Sequence, residues 1–197
     1  MIHFRALLAR YSLHAHDGAP LPNDTTQAVK QAVLFAATKV LVVDDEYYMR
    51  KVVRTLLAGI GVGTVYEALD GADGLEQIRR HAPDLVIVDW NMPKLDGPSF
   101  VRIVRSAATC PYPNVPIIML TGHSERARVV AAIELGVNDF LLKPVSSKAL
   151  EDRLLAVLSR PRPNPQAGRP SGQQQRKLAA GIHADTDQAM TTLVIVD

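Results

Sequence analysis

The sequence predicts an α/β fold in which helices cover both faces of a five-stranded parallel sheet. Five short apolar runs bounded by Asp, Gly or Pro are typical of strands buried on both faces. Between successive runs, apolar residues recur at helical spacing. This alternation indicates βαβ units and therefore a parallel sheet. We place the strands at residues 39–43, 64–68, 84–88, 115–120 and 139–142.

The helical segments are recognised by their apolar stripes and their ends. Pro98 is suited to a first helical turn, and Gly59, Gly61 and Gly136 are placed as helix stops. The five stripes consist of Val52, Val53, Leu56, Leu57 and Ile60; Ala72, Leu75 and Ile78; Phe100, Val101, Ile103 and Val104; Val129, Val130, Ile133 and Leu135; and Leu150, Leu154, Leu155 and Leu158.

Right-handed crossovers leave few arrangements for five such units. The flavodoxin-like strand order, 2-1-3-4-5, makes the first and third strands neighbours at the point where the order reverses. Asp44 and Asp45 follow the first strand, and Asp89 follows the apolar run of the third. We therefore expect these three carboxylates to share one crevice at the carboxyl edge of the sheet.

Composition divides the 197 residues into three parts. Residues 1–38 are predicted to be an N-terminal extension with a helix over 25–37. Residues 39–160, dense in Val, Leu and Ile, are predicted to form the domain. Residues 161–197 are rich in Pro, Gly, Gln and Arg, which predicts a disordered tail.

Several classes of protein are disfavoured by composition. A net charge of +2 argues against a highly charged nucleic-acid binder, and residues 161–197 show no helix-turn-helix, so we expect no DNA-binding domain. The single cysteine, Cys110, excludes an intrachain disulfide and fits a reducing cytoplasm. No apolar run approaches the ~20 residues that cross a bilayer, so we expect no membrane span.

The residues at the strand ends suit phosphoryl chemistry. Three neighbouring carboxylates repel one another, and Mg²⁺, which prefers oxygen ligands, relieves that repulsion. A carboxylate such as Asp89 can attack phosphorus and form an aspartyl phosphate, with the metal offsetting the repulsion between two anions. Lys143 and Thr121, which end two further strands, can neutralise and hydrogen-bond phosphoryl oxygens.

Four strings, each at a strand end and in this order, resemble the receiver domain of two-component response regulators, especially single-domain chemotaxis-type regulators. They are Val42-Val43-Asp44-Asp45-Glu46; Val88-Asp89-Trp90-Asn91-Met92-Pro93 with Asp96-Gly97; Met119-Leu120-Thr121-Gly122; and Leu142-Lys143-Pro144. The resemblance covers residues 39–160.

The resemblance implies that Asp89 accepts a phosphoryl group from a sensor histidine kinase or a histidine phosphotransfer protein. It implies that Asp44, Asp45 and Asp89 hold Mg²⁺ together with the backbone carbonyl of Asn91. The protein would then be a cytoplasmic signalling module that catalyses only its own phosphorylation and dephosphorylation. Its downstream protein target is not specified by the sequence.

The resemblance also implies roles on the last two strands. Thr121 and Lys143 would hold the phosphoryl group, and Thr121 would move toward it on activation. The Lys143-Pro144 bond is expected to be cis, as X-Pro bonds can be. Phe140 occupies the position of the aromatic switch residue but lacks the hydroxyl of family members with Tyr there.

Three other hypotheses for the function of the whole chain remain open. An aspartyl-phosphate hydrolase of the haloacid dehalogenase kind is disfavoured, because Asn91 stands where such an enzyme needs an Asp as acid/base. A pseudo-receiver that binds partners without phosphorylation is disfavoured by the complete set of site residues. The third hypothesis, a larger regulator cut short, is supported only by the recurrence of residues 85–89 as 193–197. This recurrence is interpreted as coincidence, with a docked extra strand or a shortened second domain as alternatives.

Minor residues near the site are given simple interpretations. Asp45 is expected to cap the following helix as well as bind metal. Arg50 and Lys51 are read as a solvated helix face. Trp90 is read as a packing residue whose fluorescence reports on the site, and His123 as a weak influence on the water that attacks the phosphoryl group.

Overall fold

The computed structural model describes residues 23–122, 130 and 133–160. The tail, the repeat at 193–197, His123 and most of the helix expected before Gly136 lie outside the described residues. The elements are α1 (Asn23–Ala37), β1 (Lys39–Val43), α2 (Tyr47–Ile60), β2 (Thr64–Ala68), α3 (Gly71–His81), β3 (Leu85–Asp89), α4 (Gly97–Arg105), β4 (Ile117–Thr121), β5 (Asp139–Leu142) and α5 (Ser147–Leu158).

The five strands form one parallel sheet in the order β2-β1-β3-β4-β5, which confirms the flavodoxin-like prediction. The register aligns their carboxyl ends, because Val43 lies opposite Val88 and Thr121 opposite Leu142. Helices lie on both faces, so β1, β3 and β4 bury nearly every side chain. This arrangement brings residues from four separate parts of the chain to one edge.

Two strand boundaries differ from the prediction. β3 covers Leu85–Asp89 instead of 84–88, and β4 covers Ile117–Thr121 instead of 115–120. Pro116 has no N–H to donate to a ladder, and the amide of Ile117 donates instead to the side chain of Asn138 at 2.8 Å. As a consequence Asp89 and Thr121 are themselves strand residues, held by the sheet rather than by loops.

Helix ends agree with the predicted signals in part. Asp96 caps α4 by accepting from the amide of Ser99 at 2.8 Å, and Pro98 lies in the first turn as predicted. Gly61 ends α2 with φ +99°, a left-handed conformation that glycine adopts without strain. Gly59 lies inside α2, so its prediction as a helix stop is wrong.

Val52 is 45% exposed and does not belong to the buried stripe of α2.

The N-terminal helix α1 begins two residues before the predicted helix and packs on the rest of the described domain. Phe35 is buried in the core beneath one face of the sheet. The Gln31 side chain donates to Glu151 of α5 at 2.7 Å, and the amide of Gly63 donates to the carbonyl of Phe35 at 3.0 Å. These contacts join α1 to α5 and to the turn between α2 and β2.

A pair of glycine substitutions tests this docking of α1. A Cβ on Gly63 would stand 2.0 Å from the carbonyl oxygen of Ala36, so Gly63→Ala must displace the end of α1. We expect a loss of about 2 kcal/mol of stability in urea unfolding, typical of forced overpacking. Gly59→Ala is the matched control. A Cβ at Gly59, in the last turn of α2, would meet nothing within 4 Å, so a gain of up to about 0.5–1 kcal/mol is expected. Equal stability of the two variants would contradict the close approach of α1.

Candidate functional site

Three carboxylates meet at the carboxyl edge of the sheet, as the predicted strand order requires. Oxygen atoms of Asp44, Asp45 and Asp89 all lie within 4.8 Å of one another. Asp44 and Asp45 directly follow β1, and Asp89 ends the neighbouring β3. Asp44 and Asp89 are buried, whereas Asp45 is exposed. The cluster therefore has a closed side within the fold and an open side toward solvent.

Lys143 supplies a cation to the two buried carboxylates. Its Nζ lies 2.8 Å from Asp89 Oδ1 and 3.0 Å from Asp44 Oδ2. The position of Lys143 is set by the sheet, because its backbone amide donates to the carbonyl of Thr121 at 2.8 Å. The Lys143-Pro144 bond is cis, as the resemblance implied. Lys143 thus joins the ends of β1, β3 and β5.

The pKa values of Asp89 and Lys143 are both raised, and the two shifts have opposite effects on stability at neutral pH. Burial raises the pKa of Asp89, and the charge of Asp44 adds to this, although the hydrogen bond from Lys143 acts in the other direction. Burial alone would lower the pKa of Lys143, but its hydrogen bonds to Asp89 and Asp44 outweigh burial and raise it. At neutral pH Lys143 is a firmly held cation beside an unfavourably buried carboxylate.

The remaining predicted residues occupy defined positions around this cluster. Thr121 is buried as the last residue of β4, and Phe140 is buried on β5 opposite Met119. Asn91 is exposed, two residues beyond Asp89. Trp90 is half-buried and packs on the core, in agreement with its interpretation as a packing residue.

Gly97 is a site residue that the sequence did not single out beyond its place in a motif. Its amide donates to the carbonyl of Trp90 at 3.0 Å. A Cβ at this position would lie 2.3 Å from the carbonyl oxygen of Asp89. Only glycine permits the start of α4 to pass so close behind Asp89, and this contact fixes the backbone that carries the carboxylate.

The position of Arg50 differs most from the sequence prediction. The sequence predicts that Arg50 and Lys51 share a solvated helix face, but Arg50 is 5% exposed, while Lys51 is exposed. Arg50 stands three residues before Val53 and seven before Leu57, both fully buried. It therefore continues the inward stripe of α2, a periodic signal that its charge obscured.

The expected cap from Asp45 is also wrong. The N-cap residue of α2 is Glu46, whose side chain makes no capping hydrogen bond. Instead, the Asp44 carboxylate accepts from the amide of Glu46 at 2.8 Å. One Asp44 oxygen thus faces a backbone N–H and the other faces Lys143. The exposed Asp45 carboxylate is left on the solvent side of the cluster.

This donor set has the chemistry of a magnesium and phosphate site. Carboxylate oxygens are the ligands that Mg²⁺ takes from proteins, and the exposed side of the cluster leaves room for the waters that Mg²⁺ retains. A lysine next to the carboxylates can neutralise a transferred anion. Among the described residues, this is the acidic group compact enough to hold a metal ion.

The family of the chain follows from comparison with known proteins. A model of the response regulator receiver domain matches residues 40–155, and the chain belongs to this family. The match begins after α1, so the N-terminal helix lies outside the shared domain. Among the described residues, no helix combines the length and apolar character that crossing a membrane requires.

The chain matches curated relatives of different lengths. "Chemotaxis protein CheY1" of Helicobacter pylori is 36% identical over 121 residues, covering 61% of this chain and 96% of that protein. "Probable transcriptional regulator ycf27" of Guillardia theta is 43% identical over 122 residues, covering 62% of this chain and 46% of that protein. This chain therefore spans about half the length of the ycf27 relatives and nearly all of the chemotaxis relative.

Solved structures agree with the fold. The Vibrio cholerae chemotaxis protein CheY4 matches with a TM-score of 0.56 and 32% identity, covering 61% of this chain and 98% of that one. A response regulator receiver domain protein from Clostridium thermocellum matches with a TM-score of 0.57 and 30% identity, covering 62% and 95%. Both matches cover somewhat less than two thirds of this chain and nearly all of the other chain.

Proposed function

We propose that this protein is a phosphorylation-controlled signalling module in which Asp89 accepts a phosphoryl group in a Mg²⁺-dependent reaction. The donor is a phosphohistidine on a sensor histidine kinase or a histidine phosphotransfer protein. The observation that carries the proposal is the bridge that Lys143 makes between Asp89 and Asp44, beside the exposed carboxylate of Asp45. Asp44, Asp45, Asp89 and the backbone carbonyl of Asn91 would hold the metal.

The proposed reaction is a displacement at phosphorus. An Asp89 carboxylate oxygen forms a bond to phosphorus while the bond from phosphorus to the donor imidazole nitrogen breaks, and that nitrogen keeps the electron pair. Lys143 moves its charge from the free carboxylate toward a phosphoryl oxygen, and the Thr121 hydroxyl donates to another. Bound Mg²⁺ supplies charge neutralisation between nucleophile and donor. The side chain of Asp89 is only 8% exposed, which limits the contact of its oxygens with bulk water.

The proposed signal is a shift between two populations of the domain. A phosphoryl group on Asp89 would favour the state in which Thr121 and Phe140 have moved toward the site. Phe140 is buried and lacks a hydroxyl, so the movement would change apolar contacts rather than a ring hydrogen bond. The readout would be a cytoplasmic protein partner, with no DNA-binding domain of its own required.

Intact-protein mass spectrometry tests the proposal. The full chain is incubated with acetyl phosphate and Mg²⁺, and we expect one phosphoryl adduct per molecule. Asp89→Asn and excess chelator should each abolish the adduct. Asp152→Asn, which changes an exposed carboxylate on α5, is the matched control and should be phosphorylated like the wild type.

The negative outcomes separate the alternatives. An adduct that persists in Asp89→Asn would refute Asp89 as the acceptor. If the wild type gives no adduct but Mg²⁺ quenches Trp90 fluorescence, the site binds metal and takes phosphate only from its protein donor. If neither adduct nor quenching occurs, the protein is a pseudo-receiver that binds its partners without phosphorylation.

A further inference from the structure

The acidic turn that follows β1 is held on its backbone side by a buried cation. Arg50 NH1 donates to the carbonyl oxygen of Asp44 at 2.7 Å and lies 3.2 Å from the carbonyl oxygen of Asp45. On the other side, the Asp44 carboxylate accepts from the amide of Glu46. The peptide units that carry Asp44 and Asp45 are therefore fixed from both directions.

Arg50 contacts the backbone of the two acidic residues and not their carboxylates. Its Nε lies 3.5 Å from Glu67 Oε2 on β2, and Glu67 Oε1 in turn lies 2.9 Å from NH1 of the exposed Arg54. The carboxylate oxygens of Asp44 are directed to Lys143 and to Glu46 instead. The guanidinium thus has its own counterion and leaves the carboxylates to the site.

The positive charge of Arg50, taken by itself, opposes metal binding. A buried guanidinium needs hydrogen bonds and a counterion to offset the loss of its hydration. Its positive charge also repels a divalent cation bound to the nearby carboxylates. Any assistance it gives to metal binding must therefore come from geometry, by holding two ligand-bearing peptides in place before the metal arrives.

We infer that Arg50 is a positioning residue for the metal site, which it pre-forms through the carbonyls of Asp44 and Asp45. The inference rests on the proposed function, because it takes these carboxylates as Mg²⁺ ligands. The inference predicts the direction in which Mg²⁺ affinity changes when Arg50 is removed. Loss of Arg50 weakens Mg²⁺ binding if positioning dominates, and strengthens it if charge repulsion dominates.

The experiment is a titration of the full chain with MgCl₂ alone, followed by the fluorescence of Trp90, the only tryptophan in the chain. Arg50→Met is expected to raise the Mg²⁺ Kd about tenfold, the lower end of what loss of a ligand's supporting hydrogen bonds costs. Arg50→Lys keeps the charge but replaces the rigid guanidinium, whose NH1 faces both carbonyls while its Nε faces Glu67, with a single flexible ammonium. Its Mg²⁺ Kd should therefore fall between those of the wild type and Arg50→Met.

Arg54→Met is the matched control, since it removes a charge from the same Glu67 without touching the acidic turn. Its Mg²⁺ Kd should equal that of the wild type. All titrations are made well below the unfolding temperature, with folding checked by circular dichroism. A purely structural role of Arg50 would lower the unfolding temperature of Arg50→Met and leave its Kd unchanged.

The outcomes separate this inference from the proposed function. A wild-type response with unchanged or tighter binding in Arg50→Met overturns the inference alone. If Arg50→Met does not fold, the comparison passes to Arg50→Lys, and wild-type affinity in that variant overturns the inference. A wild type that does not respond to Mg²⁺ by fluorescence or by calorimetry overturns the proposed metal site and the inference with it.

Discussion

Lys143→Met is expected to slow phosphorylation by acetyl phosphate by about 100-fold or more, the usual effect of removing one group that stabilises developing charge. It should also lower the free energy of unfolding by about 2 kcal/mol at neutral pH without Mg²⁺, because it leaves two buried carboxylates without their cation. The rate is measured by intact mass over time, and stability by urea unfolding.

The pH dependence of this loss follows from the two shifted groups. Since the pKa of Lys143 is raised, its stabilising pairs are fully present below its ordinary pKa and are lost only as the pH rises through the raised value. Since the pKa of Asp89 is raised by folding, Asp89 loses its proton at a lower pH in the unfolded protein than in the folded protein. Stability therefore falls as the pH rises from the ordinary pKa of this carboxyl toward its raised pKa. The Lys143→Met deficit should therefore be smaller near pH ~4 than at neutrality.

Three comparisons check that the deficit arises at the site. Lys148→Met, which removes an exposed lysine paired with Asp152 on α5, should change stability by less than about 0.5 kcal/mol. Adding Asp89→Asn to Lys143→Met should restore much of the lost stability. Saturating Mg²⁺ should do the same, by about 2.7 kcal/mol at 100 times its Kd. Wild-type stability of Lys143→Met without metal would contradict the ion-pair bridge.

Arg105→Met should give the largest loss of stability. Arg105 donates through Nε to Gly136 at 2.9 Å, through NH1 to Pro113 and Val115 at 2.8 Å each, and through NH2 to the side chain of Asn138 at 3.0 Å. These partners lie before β4 and before β5. Burial lowers the pKa of Arg105 to about 10, so it remains a cation at neutral pH.

Removing this side chain takes the donor from three backbone carbonyls, those of Gly136, Pro113 and Val115, while Asn138 Oδ1 keeps the amide of Ile117. We expect a loss of about 3 kcal/mol and a fall in Tm of roughly 10 °C, because unsatisfied buried acceptors cost about 1–3 kcal/mol each and some will recover water. Arg102→Met, at an exposed position of the same helix, is the control and should be nearly neutral. Calorimetry that shows equal Tm values for the two variants would rule out a structural role for Arg105.

The sequence by itself determined the sheet and the place of the carboxylates. β1, β3 and β4 each contain four consecutive apolar residues, and only a sheet covered on both faces buries such runs. With right-handed crossovers, the order of the strands then brings Asp44 and Asp89 to one edge. These conclusions needed local pattern, general rules of chain connection and the strand order of flavodoxin-like folds.

The tertiary structure alone decided where the long cationic side chains go. Lys143 meets a carboxylate 99 residues earlier, and Arg105 meets a carbonyl 31 residues later. Helical periodicity directs Arg50 toward the core, whereas its charge predicts exposure to solvent. Arg50 is buried because the carbonyls of Asp44 and Asp45 and the carboxylate of Glu67 on β2 lie around its guanidinium. A buried cation is stable only where distant acceptors surround it, and local sequence does not contain those distances.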